Sequence, residues 1–424
     1  MIKILKYGEV KNEEIFSRCE ALSKVDAIVS DIIANVIKNG DQALLEYEEK
    51  FDKVTLSSLE VSKEEMEEGL SQVEPKFIDI LKEAAQNITE FHKNQIRKGF
   101  EYKREDGSIL GQKITPVDRA GLYVPGGKAA YPSTVLMDSI PAKIAGVKEV
   151  VMVTPPQKDG KINPAILAAA YVAGVDKIYK VGGAQAIAAL AYGTKTIKKV
   201  DKIVGPGNAF VAEAKKQVYG KVSIDMIAGP SEILVVSDGK SNPKYVAADL
   251  LSQAEHDQMA SAVLVTDSMD LAKAVQVEIE EQLKKLDRED IARVSIDTNG
   301  KIIVADNLDI VIDIANEIAP EHLELCLDNP EDYLDKIKHA GSVFMGRYTP
   351  EALGDYLAGP NHTLPTSGTA KFSSPLSCDD FVKKTQYIKY SRDALSKVKD
   401  DIAYFATKEG LTGHAKSATI RFEE

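Results

Sequence analysis

Between about residues 119 and 231 short β-branched runs alternate with alanine-rich stretches of helical length, and this alternation limits the chain to a few architectures. Val150-Val151-Met152-Val153 reads as a strand, Asn163-Pro164 opens a helix that stops at Gly174, and Ile178-Tyr179-Lys180-Val181 is the next strand before Gly182-Gly183 and another helix. Lys202-Ile203-Val204, then Gly205-Pro206-Gly207-Asn208 and a helix to Val218, repeats the unit. Strands joined through helices give a parallel sheet with crossover connections. A second series follows, with strands at Ile233-Leu234-Val235-Val236, Ala262-Val263-Leu264-Val265, Ile302-Ile303-Val304 and Ser342-Val343-Phe344. Its helices open at Asn242-Pro243 and at Asp267.

The first hundred residues read as helices. One stripe is Val25, Ile28, Ile32 and Val36, stopping at Asn39-Gly40; another is Phe77, Leu81, Ala84, Ile88 and Phe91, stopping at Gly99. Gly/Pro punctuation at Tyr123-Val124-Pro125-Gly126-Gly127 and at Ala228-Gly229-Pro230-Ser231 suggests that the first α/β unit is inserted into the second. The resulting division is an N-terminal helical segment over 1–20, a larger α/β domain over 21–122 plus 232–376, an inserted α/β domain over 123–231, and a helical tail over 377–424.

At 424 residues, 44% hydrophobic, the chain can bury more than one core. The net charge of -12 and pI near 5.2 oppose a nucleic-acid partner, which needs a basic patch to neutralise phosphates. Cys19, Cys326 and Cys378 are far apart, without a CxxC, so neither a disulfide framework nor a thiolate zinc site is indicated, and a reducing cytoplasm fits. Cys326 reads as a small buried hydrophobe. The N-terminus has no signal-peptide pattern, and no run reaches the ~18 apolar residues of a membrane span; a soluble, untargeted protein is expected.

Chemistry concentrates in a few polar segments. Glu321-His322, after Pro320, sets a carboxylate beside an imidazole, either as two proton-transfer groups or as the start of a helix whose Glu complements the dipole. Gln253 and His256, three apart, share a helix face and either hold a metal together or are polar residues near a helix end. His362 lies in the Gly/Pro-bracketed loop Gly359-Pro360-Asn361-His362-Thr363-Leu364-Pro365, shortly after Gly354-Asp355-Tyr356. His92 and His339 read as helix-surface residues, and His414 by position alone is a tail residue. The turns at Gly182-Gly183 and Gly205-Pro206-Gly207-Asn208 are not GxGxxG; each is a plain βα turn or a place where a nucleotide docks on helix-start amides.

Taken together, Gly121-Leu122-Tyr123-Val124-Pro125-Gly126-Gly127, Tyr131-Pro132-Ser133-Thr134, Gly205-Pro206-Gly207-Asn208, Asp225-Met226-Ile227-Ala228-Gly229-Pro230-Ser231-Glu232, Gln253-Ala254-Glu255-His256-Asp257, Ala319-Pro320-Glu321-His322-Leu323-Glu324 and Gly354-Asp355-Tyr356 resemble the histidinol dehydrogenase family. The resemblance runs from about residue 119 to 414 in the family's order. It implies an α/β fold of two incomplete Rossmann-like parallel-sheet domains, with a helical N-terminal segment and a helical C-terminal tail. It further implies two successive NAD-dependent oxidations of L-histidinol, through L-histidinaldehyde to L-histidine, the last steps of histidine biosynthesis.

By the same resemblance zinc, one per subunit, falls to Gln253, His256, Asp355 and His414 and holds the substrate, while Glu321 and His322 are the catalytic acid/base pair. Ser231, His362 and Glu409 resemble further substrate-contacting positions, and Tyr123, Gln185 and Asn208 resemble NAD-contacting ones, the inserted domain thus being the NAD-contacting one. A cytoplasmic homodimer is implied, its C-terminal tail serving dimerisation and His414 completing the partner's site. The main alternative is a zinc hydrolase with Glu321 serving a metal-bound water; no HExxH appears, and two glycine-rich βα units would have no purpose there.

Overall fold

A computed structural model describes residues 1–18, 25–126 and 130–423, so Cys19 and Gly127 lie outside the described residues. The strands, in chain order, are β1 (Lys3–Lys6), β2 (Phe100–Lys103), β3 (Ile109–Pro116), β4 (Arg119–Tyr123), β5 (Glu149–Thr154), β6 (Lys177–Lys180) and β7 (Lys202–Val204). They continue with β8 (Ser223–Ile224), β9 (Glu232–Ser237), β10 (Ser261–Thr266), β11 (Lys301–Val304), β12 (His322–Cys326), β13 (Ser342–Met345) and β14 (Val382–Lys389). The chain divides into two units, Met1–Gln95 with Val117–Phe381, and Ile96–Pro116 with Val382–Glu424.

The first unit holds two parallel sheets, ordered β6-β5-β4-β7-β8 and β1-β11-β10-β9-β12-β13. In each, the chain steps outward from a central strand and then returns to that strand's other side. β4 and β7 flank one switch point, β9 and β12 the other, and the crevice at such a point is where open α/β sheets bind ligands. This is the α/β architecture with parallel sheets that the alternating pattern called for, in the Rossmann-like form that the resemblance implies.

Helix Asp26–Asn39 covers one face of the five-stranded sheet, burying Val29, Ile32, Ile33 and Val36 against Val151, Val153 and Ile203. Helix Pro75–Lys93 covers the other, burying Leu81, Ala84 and Ile88 against Leu122, Val150 and Met152. Removing any one of these large side chains to Ala would cost about 2–5 kcal/mol. The sequence division had grouped these helices with the strands of 232–376. The stripes are also rotated from expectation: Ile28 and Phe91 are exposed, and His92 is buried rather than on the surface, its Nδ1 2.7 Å from Gln95 Oε1. The second helix ends at Lys93, well short of Gly99.

Two elements correct the helical reading of the ends. β1 is a strand, paired in parallel with β11 from Lys3↔Lys301 to Lys6↔Val304. Its apolar run is only Ile4-Leu5, and the partner that makes it a strand lies about three hundred residues away. β14, in the tail expected to be helical, pairs antiparallel with β3 from Val382↔Pro116 to Lys389↔Ile109, and β2 flanks β3 on its other side. Val382-Lys383-Lys384-Thr385-Gln386-Tyr387-Ile388-Lys389 has no alternation to announce a strand because almost all of it is exposed. Helices Arg392–Ser396, Lys399–Lys408 and Thr412–Thr419 complete this second unit. No helix among the described residues is long and apolar enough to cross a membrane.

Candidate active site

Glu321 and His322 do not open a helix. Ala319, at φ 48°, ends helix Leu308–Ile318, and His322 begins β12 between β9 and β13. Period-two alternation then sends Leu323 and Leu325 to one core, while Cys326 joins the core formed with helix Pro243–Ala254. His322 and Glu324 share that side of β12, which brings His322 to Gln253 near the helix C-terminus. The helix ends at Ala254, so Gln253 and His256 do not share a continued helical face; a tightened turn, His256 N–H to Gln253 O at 3.1 Å, keeps them together.

The backbone of Glu232, at the start of β9, serves both residues of the pair. Its N–H donates to Glu321 Oε2 at 2.8 Å, and its carbonyl oxygen lies 2.9 Å from His322 Nδ1. The amide of Gln253 satisfies its surroundings with its oxygen toward Glu232 N–H (3.1 Å) and His322 Nδ1 (3.3 Å) and its nitrogen donating to Glu351 Oε1 at 2.8 Å. The side chain of Glu232 is paired with Arg18, Nη1 to Oε1 at 2.7 Å. Ser231 lies one residue before β9, and its carbonyl accepts from Ser261 N–H at 3.0 Å.

Asp355 lies on the short helix Glu351–Tyr356, and His362 in the loop beyond it. Ligand atoms of His256, Glu351 and Asp355 lie within 4.8 Å of one another, and Asp355 Oδ1 is 3.6 Å from His362 Nδ1. Glu351 was not singled out from the sequence, although its place four residues before Asp355 put both carboxylates on one helix face. Glu232 and Arg18 escaped notice too, since their roles depend on backbone positions far along the chain. His414 and Glu409 belong to the second unit and are exposed there, on helix Thr412–Thr419 and at the end of helix Lys399–Lys408.

Burial dominates the electrostatics. It pushes His322 down to about 4, despite the opposing charge of Asp355 and the bond to Glu232, so the imidazole is neutral. It pushes Glu321 well above the usual carboxyl range, the Glu232 amide opposing and the charges of Glu232 and Asp355 adding. Glu351 rises similarly from burial and from the charges of Asp355 and Glu321. Burial raises Asp355 as well, but the His362 hydrogen bond and the charges of His362, His322 and His256 outweigh it and hold the group low. Glu324, raised by burial and Asp249, forms a neighbouring cluster with Asp249 and Cys326, which is buried as expected.

These residues fit zinc. His256 supplies a nitrogen and Asp355 and Glu351 supply carboxylate oxygens, a nitrogen-and-oxygen donor set within 4.8 Å that suits a divalent cation.

Tyr123, Gln185 and Asn208 all lie at the carboxyl ends of strands of the five-stranded sheet. Tyr123 ends β4, Gln185 follows the turn after β6, and Asn208 follows β7 across the switch point from β4. Asn208 Oδ1 caps helix Ala209–Val218, accepting from Phe210 N–H at 3.0 Å and Val211 N–H at 3.2 Å. Gly205, at φ +111°, lies so close to β4 that a Cβ would overlap the Tyr123 carbonyl oxygen. The turn is pinned by a buried Lys215–Asp225 ion pair: Gly205 N–H donates to Asp225 at 2.7 Å and Lys215 donates to Gly205 O at 2.9 Å. This close backbone approach at a capped helix start suits a dinucleotide.

Helix Pro132–Ala145 links the two places. Thr134 Oγ1 is 3.2 Å from His362 Nε2, and Thr363 donates to Asp138 Oδ1 at 2.8 Å, while Asp138 Oδ2 would lie 3.0 Å from a Cβ on Gly205.

Residues 17–422 match the family model described as "Histidinol dehydrogenase". Among curated proteins, the histidinol dehydrogenase of Clostridium acetobutylicum is 56% identical over 428 residues, covering 100% of this chain and 99% of its own. That of Lactiplantibacillus plantarum is 57% identical over 400 residues, covering 94% and 93%. The crystal structure of histidinol dehydrogenase from Elizabethkingia anophelis superposes with a TM-score of 0.94 at 38% identity, covering 100% of this chain and 98% of that one.

Proposed function

Because this chain belongs to the histidinol dehydrogenase family, we propose that it oxidises L-histidinol through L-histidinaldehyde to L-histidine in two steps, each consuming one NAD. The observation that carries the reading is the convergence of Glu321 and His322 on the backbone of Glu232, next to the His256–Glu351–Asp355 cluster.

Gln253, His256 and Asp355 would hold zinc in this reading, with His414 completing the set from the partner subunit's tail in a cytoplasmic homodimer. Bound zinc supplies a Lewis-acid anchor for the substrate, and NAD, held by Tyr123, Gln185 and Asn208, supplies the hydride acceptor.

His322 takes the alcohol proton. Its Nδ1 faces a carbonyl oxygen, which can only accept, so Nδ1 carries the ring proton and Nε2 keeps the lone pair. Nε2 is buried and has no protein partner among the described residues. The second oxidation needs a tetrahedral carbon, so the aldehyde must be hydrated. Glu321, held through Oε2 by the Glu232 amide, activates that water, and its raised pKa suits a group that both takes and returns a proton. Ser231, His362 and Glu409 orient the substrate.

The test is the number of NADH formed per L-histidinol at completion by purified, zinc-loaded protein. Two is expected; one overturns the hydration role of Glu321, and none overturns the dehydrogenase reading. Removing the tail residues 390–424 should abolish both full zinc loading and turnover, and a truncated chain that keeps both overturns the shared site.

A further inference from the structure

Glu48 is fully buried, lies in no catalytic motif, and reaches the turn between β6 and its following helix from the distant segment Glu48–Asp52, a single π-helical turn. Its Oε1 accepts from two groups of that turn, Gly182 N–H at 3.3 Å and Gln185 Nε2 at 3.2 Å. Its Oε2 is sealed from solvent, and the carboxyl shares a side-chain hydrogen bond with Asp52 of the same turn.

The bond to Glu48 decides which way the Gln185 amide points. With Nε2 committed, Oε1 turns to the glycine turn, where it would lie 2.7 Å from a Cβ on Gly183, and it receives no hydrogen bond from a described residue. Gly183 N–H is itself held by the Tyr123 hydroxyl at 3.1 Å. An amide fixed this way presents an acceptor; released, it could equally present its NH2.

We propose that Glu48 is a positioning residue for the dinucleotide: it orients Gln185 so that its Oε1 accepts from a ribose hydroxyl and turns away a phosphate oxygen. This rests on the NAD reading above. Burial and the neighbouring Asp52 carboxylate push Glu48 up to about 8, in keeping with a neutral acid whose carbonyl oxygen is Oε1 and whose proton is on Oε2.

The test is NADH titration of the zinc-loaded full chain, followed by fluorescence, with circular dichroism to check folding. Glu48→Leu, which removes the acceptor, should weaken NADH about tenfold, the loss of one to two hydrogen bonds. The histidinol KM at saturating NAD should not change. Glu48→Gln, the isosteric match of the neutral acid, should rescue the affinity to within about threefold of wild type.

A reciprocal pair covers the case in which Glu48→Leu does not fold. Gln185→Glu should weaken NADH, and adding Glu48→Gln should recover part of the loss, because Gln at 48 then donates to Glu at 185 and leaves the second carboxylate oxygen as the acceptor, at the cost of the bond from Gly182 N–H. Wild-type affinity in folded Glu48→Leu, equal losses in the Leu and Gln variants, or no recovery in the exchanged pair overturns the proposal. A wild-type protein that does not bind NADH overturns the NAD reading and this proposal together.

Discussion

Nδ1 of His322 lies 2.9 Å from the carbonyl oxygen of Glu232, ninety positions earlier in the chain, and this contact fixes the imidazole tautomer. Glu232 is held in register against Ser261 of β10, so its carbonyl cannot turn away to offer a donor. In the proposed mechanism this keeps Nε2 as the base.

His322→Asn should lower turnover about a thousandfold while NADH binding and zinc content stay at wild-type levels, since only the proton acceptor is lost. Steady-state kinetics with NADH titration and metal analysis check it. Loss of zinc or NADH binding would show that His322 holds the site together instead.

The Arg18–Glu232 pair bears on the same peptide from the side-chain end. Arg18→Met leaves a carboxyl only 12% exposed without its cation, next to Glu321, and turnover should fall about ten- to a hundredfold. Arg18→Lys should keep part of the activity. A kcat unchanged in Arg18→Met would separate the ion pair from catalysis.

Gly205→Ala places a Cβ where the Tyr123 carbonyl oxygen already sits and forces an L-residue to φ +111°. It should destabilise the fold by about 3 kcal/mol or more and abolish NADH binding. Denaturant unfolding measures the first effect and fluorescence titration the second.

Stability should fall as pH rises from about 4.5 toward 8. Glu48 is raised from 4.5 to about 8 and Asp138 from 3.8 to about 7, both mainly by burial, so across this window the folded state binds more protons than the unfolded one. Their contribution is fully present below the unfolded values and is lost as pH passes the folded ones. Glu48→Gln and Asp138→Asn should each flatten the decline of Tm with pH, and a slope unchanged in both would place the titration elsewhere.

Chelation should remove turnover and leave the secondary structure intact, with zinc restoring activity. His256→Ala and Asp355→Asn should each lower the zinc retained after dialysis by at least about tenfold. Metal analysis reads this directly; full occupancy in both variants would move the metal off these residues.

The alternation of β-branched runs with alanine-rich helices determined the α/β class and the parallel sheets, because residues buried on both faces must be apolar along their whole length. The family was legible for a different reason: its motifs are short, contiguous and dense in glycine, proline and polar residues. What local pattern could not carry was any element whose partner is remote. β1 is a strand only because β11 lies beside it, and β14 is too exposed for its pairing with β3 to leave a hydrophobic period.

The site divides the same way. Gln253, His256, Glu321, His322, Asp355 and His362 stand out in the sequence as unusual polar residues, but nothing local says that the first and last, over a hundred positions apart, meet around one cluster. Tertiary structure decided that, by the order of strands at the switch between β9 and β12. It also recruited Glu232, Glu351, Arg18 and Glu48, whose parts depend on which backbone amide or side chain the fold brings within about 3 Å of them, a distance that hydrogen bonding requires and sequence spacing does not encode.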